Sequence, residues 1–439
     1  MSIRRRVLHG MSSNVLTQAV NVIIQLAGVP LLLKYWGVNY YGEWLVLFTI
    51  PGYIEISDFG LGTSATAEMI MLKEAGKDER VRMILKNTFW FILIMGGLPF
   101  ILLYSSSWVI PWHSLLNFDA ITQSEFNVAF LLLILYVYLS LFLTLPLGYY
   151  RIEKMYHRER YISIFFRILE FTALVIVVTN GHGIVWVAGA YLIVKCLYFI
   201  VVMSDLHRQY PQFRVTPWGF DVRKIKYLFK PSAAIMVIYF GQNILVQGLT
   251  TLIGVVLGAR QVVVFNTTRT LINFSKQLVN IINFSFISEF SYAFGMKNRE
   301  LLDRLYIRAL QLNIAAAFGC LLFIILFAQW IFDIWTHGEV SVIMPFFILM
   351  IFAAFVNSLW HSGLVLLISA NKQFNTGISY LVVSALALTS VALFLENGGL
   401  TLVGCMLIIF EILMLLIVYD QCKRFVAPPW LWILELKRQ

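Results

Sequence analysis

Asn266-Thr267-Thr268-Arg269-Thr270-Leu271-Ile272-Asn273-Phe274-Ser275-Lys276-Gln277-Leu278-Val279-Asn280 is the stretch on which the fold turns. Its polar members Asn266, Arg269, Asn273, Lys276 and Asn280 recur every three or four residues, so they stack on one face of a helix. Leu271, Ile272, Phe274, Leu278 and Val279, with Ile281 and Ile282 beyond, are apolar enough for lipid or a packed bundle. The pattern predicts a membrane-spanning helix with two fixed cations at membrane depth, where charge is costly and usually functional. Arg269 and Lys276 lie two turns apart, about 10 Å along the axis, within reach of one phosphate or pyrophosphate. Arginine offers a planar fork to phosphate oxygens and lysine a point charge. The competing reading is that both cations neutralise internal carboxylates, for which Asp58, Glu55 and Glu411 are available.

The rest of the chain agrees with a membrane setting. Of 439 residues, 60% are hydrophobic and 13% charged, which predicts an all-α polytopic membrane protein. At about 20 apolar residues per span, about twelve transmembrane helices fit and no separate soluble domain does. The net charge of +10 does not point to nucleic acid, because the basic residues collect in alternate connections. Arg4 to Arg6; Lys73, Lys77, Arg80, Arg82 and Lys86; Arg151, Lys154, Arg158, Arg160 and Arg167; and Arg208 to Lys230 fall on one side. Lys297 to Arg308, Lys372, Lys423 and Arg424 continue it, while the opposite connections hold only Lys34 and Arg260. The positive-inside rule then puts both termini in the cytoplasm, with Trp36, Trp44, Trp108, Trp112, Trp186, Trp330 and Trp335 as an external aromatic belt.

The longest cytoplasmic connection, 205–230, carries Pro211, Pro217 and a basic amphipathic stretch, and divides the spans six and six. The expected organisation is an N-lobe over 1–204, this linker, a C-lobe over 231–420, and an interfacial tail over 421–439. An offset of 221 superposes Gly37 on Gly258, Ser64 on Ser285 and Glu68 on Glu289, which points to a parallel internal repeat.

Further polar stripes fall on the first span of each half: Asn21 and Gln25 with Asn14 and Gln18, and Gln242, Asn243 and Gln247 with Thr250 and Thr251. Amides in a bundle can simply bond neighbouring helices; stripes at matching places favour a hydrated cavity. Lys195 sits too deep in span six to snorkel, so it either pairs or faces water, with Glu411 at a similar depth in span twelve as one partner across the halves. Asp58 and Glu55, one turn apart beside Gly60 and Gly62, are candidates for proton or sodium coupling, against the reading that Asp58 caps exposed backbone. His361, beside Trp360, is a further titratable group, more simply read as a packed donor. No nucleophile elbow, Walker loop or metal cluster occurs, and the external loops are short, so neither an enzyme nor a bound cofactor is expected.

The run Tyr35-Trp36-Gly37, Tyr41-Gly42-Glu43-Trp44, Pro51-Gly52-Tyr53 and Asp58-Phe59-Gly60-Leu61-Gly62 resembles the start of Wzx-type polysaccharide flippases of the MOP exporter superfamily. The likeness extends to Val264-Phe265-Asn266 and the twelve-span layout. It implies a MATE-like fold of two six-helix lobes with a cationic cavity lined by the first two helices of each. It also implies transport of an undecaprenyl-pyrophosphate-linked oligosaccharide, an O-antigen or lipopolysaccharide precursor, from the inner to the outer leaflet of a bacterial inner membrane. Membrane lipids, a polysaccharide polymerase and a chain-length regulator are the partners it implies, with no nucleic acid. The N-terminal motif itself is read as structural. A cation-coupled multidrug exporter of the same superfamily and a membrane-embedded polymerase or ligase are the rival functions.

Overall fold

The computed structural model describes residues 3–54, 60–210, 213, 220–370 and 372–426. Glu55, Asp58 and the interfacial tail from residue 427 onward lie outside them. The described chain divides into two compact units, Met1–Met236 and Val237–Gln439.

In the first unit the helices are α1 (Ile3–Gly52), α2 (Leu61–Glu74), α3 (Asp78–Val109), α4 (Trp112–Leu115), α5 (Gln123–Ile152), α6 (Tyr156–Thr179) and α7 (Ile184–Gln209). A 3-10 turn, Val222–Leu228, follows, and α8 (Phe229–Leu257) crosses into the second unit. That unit continues with α9 (Ala259–Gly295), α10 (Arg299–Leu326), α11 (Ala328–Trp335), α12 (Met344–Ser369) and α13 (Phe374–Cys422). Helices are the expected solution for apolar segments of this length, because each satisfies its own backbone groups without water.

Nine helices among the described residues are long and apolar enough to cross a membrane. Two of the nine are doubled: α1 has a non-helical break at Gly37 and α13 one at Gly399. The stripe-bearing α9 is not among the nine; its Asn, Thr, Ser and Gln residues, together with Arg269 and Lys276, make it more polar than the others.

The breaks share one backbone geometry. Gly37 has φ 69° and ψ 174°, Gly258 at the head of α9 has φ 86° and ψ 170°, and Gly399 has φ 54° and ψ −155°. This region is open essentially to glycine alone. A Cβ at any of the three would meet open space, so conformation and not crowding requires glycine there. Gly37 and Gly258 are also the pair that the sequence offset superposes, and each precedes the second long helical segment of its unit.

Within the first unit α5 is central and packs on α1, α2, α3, α6 and α7. Glu43, 3% exposed, accepts the backbone N–H groups of Asp119, Ala120 and Ile121, each at 2.8 Å, and so fixes the turn before α5. Thr122 then starts α5 with a reciprocal capping box to Glu125. The mid-chain connection docks on this unit: the 3-10 turn packs on α3, and the Asp221 N–H donates to Asn87 Oδ1 at 2.7 Å. In the second unit α12 packs on α9, α10 and α13. α8 approaches α13 closely at Gly241, where a Cβ would come within 3.2 Å of the Leu381 backbone.

Candidate functional site

The stripe of α9 opens on a cavity of about 260 Å³ inside the second unit. Arg269, Asn273 and Lys276 from α9, Asn357 from α12, and Tyr380 and Glu411 from α13 supply its polar wall. Leu245, Val246 and Leu249 of α8 are among its apolar side chains.

Each cation is positioned by a neighbour. The Arg269 guanidinium lies 5.2 Å from the Phe265 ring centroid, and its Nη2 donates to Asn266 Oδ1 at 2.5 Å. Asn266 is itself buried, with its Nδ2 on the Val262 carbonyl at 3.0 Å, so this stripe member orients the arginine and does not line the cavity. Lys276 Nζ lies 3.8 Å from Glu411 Oε1. The Glu411 carboxylate is anchored separately: Trp360 Nε1 donates to Oε2 at 2.8 Å, and Asn357 Nδ2 lies 3.0 Å from Oε2 and 3.3 Å from Oε1. With two cations against one carboxylate, the cavity is net positive and lined with amides, a chemistry suited to an anionic, hydroxylated ligand.

The internal-carboxylate reading therefore holds for Lys276, with Glu411 as the partner; Asp58 and Glu55 lie outside the described residues. For Lys195, the partner that similar depth suggested, Glu411, gives way to one within its own unit. Lys195 Nζ instead lies 3.0 Å from Glu170 Oε1 within the first unit, because α6 and α7 pack side by side and bring the two together at matching depth. The same ammonium sits 4.5 Å from the Tyr136 ring centroid, and the Tyr136 hydroxyl donates to Glu170 Oε1 at 3.3 Å.

This pair borders a second cavity, also of about 260 Å³, lined by Thr17, Asn21, Ser163, Arg167, Glu170, Lys195 and Tyr198. Asn21 and Lys195 thus meet here, within the first unit. Arg167 corrects the charge count: grouped by sequence with the cytoplasmic loop, it lies about three turns inside α6. Its spacing to Glu170, one helical turn, was the signal available in the sequence.

Other predicted site residues are placed elsewhere. Gln242, Asn243 and Gln247 do not line the cavity of the second unit, to which α8 turns its leucines. Asn243 donates to the Tyr239 carbonyl at 3.0 Å. Asn280 and Gln25 are exposed. Asn357 and Trp360, which hold Glu411, were missed by sequence reasoning, since neither forms a stripe.

The fold matches solved structures over nearly the whole chain. An inward-facing multidrug resistance MATE family transporter of the MOP superfamily aligns over 92% of this chain and 95% of its own, at 15% identity and a TM-score of 0.74. The outward-facing conformation of such a transporter aligns over 95% and 93%, at 16% identity and a TM-score of 0.57. A MOP superfamily transporter from Pyrococcus furiosus, whose structure is described as having a reversed binding-pocket polarity, aligns over 96% and 94%, at 16% identity and a TM-score of 0.55. No curated protein sequence matches the chain. The class is therefore an all-helical, multi-pass membrane protein with the fold of MOP-superfamily transporters. Residues 67–338 match the polysaccharide biosynthesis protein family, and the chain belongs to that family.

Proposed function

We propose that this protein is a flippase that carries an undecaprenyl-pyrophosphate-linked oligosaccharide from the inner to the outer leaflet of a bacterial inner membrane. The observation that carries the reading is the net-positive cavity of Arg269, Asn273 and Lys276 in a chain of the polysaccharide biosynthesis family. The pyrophosphate meets the two cations, the sugars meet amides, and the prenyl tail stays in lipid. The two halves work by alternating access as twelve spans with both termini cytoplasmic. An inside-negative potential assists outward movement of an anion by about 2.3 kcal/mol per charge per 100 mV. Asp58 and Glu55 are the proposed coupling residues, for proton or sodium.

The test is complementation of a deletion strain. Arg269→Ala with Lys276→Ala, at normal protein level, is expected to abolish surface polysaccharide while lipid-linked repeat units accumulate on the inner leaflet. Normal polymer export by the double variant overturns the site. Accumulation on the outer leaflet indicates a polymerase or ligase, and lost drug tolerance with intact polysaccharide indicates a multidrug exporter.

A further inference from the structure

The two buried lysine–glutamate pairs are built differently. Lys195 and Glu170 stand 3.0 Å apart with both side chains 11% exposed, and Tyr136 contacts both. Removing either member leaves the other nearly buried and without its direct counter-charge. Lys276 and Glu411 stand 3.8 Å apart, with the lysine 38% and the glutamate 7% exposed. Here the carboxylate is held by the neutral donors of Trp360 and Asn357, so it keeps its hydrogen bonds whether or not the ammonium is present. Lys276 is thus the movable member of a loose pair, on the wall of a cavity that also presents Arg269.

We propose that Glu411 is the resident counter-anion of Lys276 and that the anionic group of the substrate takes its place, making Glu411 a specificity-determining residue. The inference rests on the flippase reading and adds how the same cavity selects and releases its ligand. In the empty cavity Lys276 is already neutralised, so a ligand binds only if its anionic group attracts the ammonium more strongly than a fixed carboxylate does. A pyrophosphate, with several charged oxygens and Arg269 close by, meets that condition; neutral glycolipids do not. When the ligand departs, Glu411 recovers Lys276, which lowers the cost of release. Glu411 acts on the ligand through Lys276, so its removal should tighten binding, whereas a purely structural glutamate would weaken it.

The measurement is calorimetric titration of inorganic pyrophosphate into the full-length protein, purified monodisperse in detergent, with tetraphenylphosphonium as a lipophilic-cation control. Glu411→Gln keeps an acceptor for Trp360 and is expected to bind pyrophosphate about two- to fivefold more tightly than wild type, the scale of a partly exposed ion pair. Lys276→Ala binds more weakly, and Glu411→Gln added to it changes nothing further. Should Glu411→Gln fail to fold, Glu411→Asp withdraws the carboxylate from Lys276 and is expected to tighten binding in the same direction. Pyrophosphate binding by wild type that is unchanged or weakened in the folded Glu411 variant overturns the inference and leaves the flippase reading standing. A wild-type protein that binds tetraphenylphosphonium and not pyrophosphate overturns both.

Discussion

Glu170 and Lys195 form a closed pair, with Nζ 3.0 Å from Oε1 and both side chains 11% exposed. Removing the cation leaves a buried carboxylate with only the Tyr136 hydroxyl, at 3.3 Å, as a donor among the described contacts. Lys195→Met is therefore expected to destabilise the first unit by about 3–5 kcal/mol. Lys276→Met, which leaves Glu411 on Trp360 and Asn357, is expected to cost about 1 kcal/mol or less. Thermal unfolding of the two variants in one detergent checks the contrast, and equal losses would show that the pairs are alike.

Glu43 holds three consecutive backbone N–H groups with one carboxylate. Glu43→Ala strands these donors at the entry to α5 and is expected to cost about 2–4 kcal/mol. Glu43→Gln, which keeps an acceptor, should lose less. Proteolysis around residues 117–122 provides a local readout, with cleavage expected to rise in the alanine variant.

Gly258 owes its identity to φ 86° and ψ 170°, not to crowding. Gly258→Ala should destabilise the second unit by about 1–3 kcal/mol, and Gly37→Ala the first by a similar amount. Alanine at Gly319, which lies in a helix with open space around it, is expected to be neutral or slightly stabilising, and supplies the control in the same unfolding assay.

Much of the fold was legible because the hydrophobic runs, the glycines and the basic connections each leave a mark in one dimension. The α9 stripe was legible for the same reason, since Arg269, Asn273 and Lys276 repeat with the helix and do face one cavity. Partnership was not legible. Glu411 lies far along the chain from Lys276, and only the packing of α12 against α9 and α13 brings them to 3.8 Å. The amides of α8 misled because a polar stripe records which residues share a face, not which face meets the cavity. Arg167 was misassigned because it closes a run of basic residues that begins in the loop, although α6 carries it into the unit.

The most direct test of the transport claim is reconstitution of the full chain in liposomes with a polyprenyl-pyrophosphate-linked oligosaccharide, scoring its arrival in the opposite leaflet with a non-penetrating lectin. Wild type is expected to expose the lipid, and Arg269→Ala with Lys276→Ala to slow it roughly tenfold or more at equal protein incorporation. Transfer by the double variant at the wild-type rate, or no transfer by wild type above empty liposomes, would contradict the account.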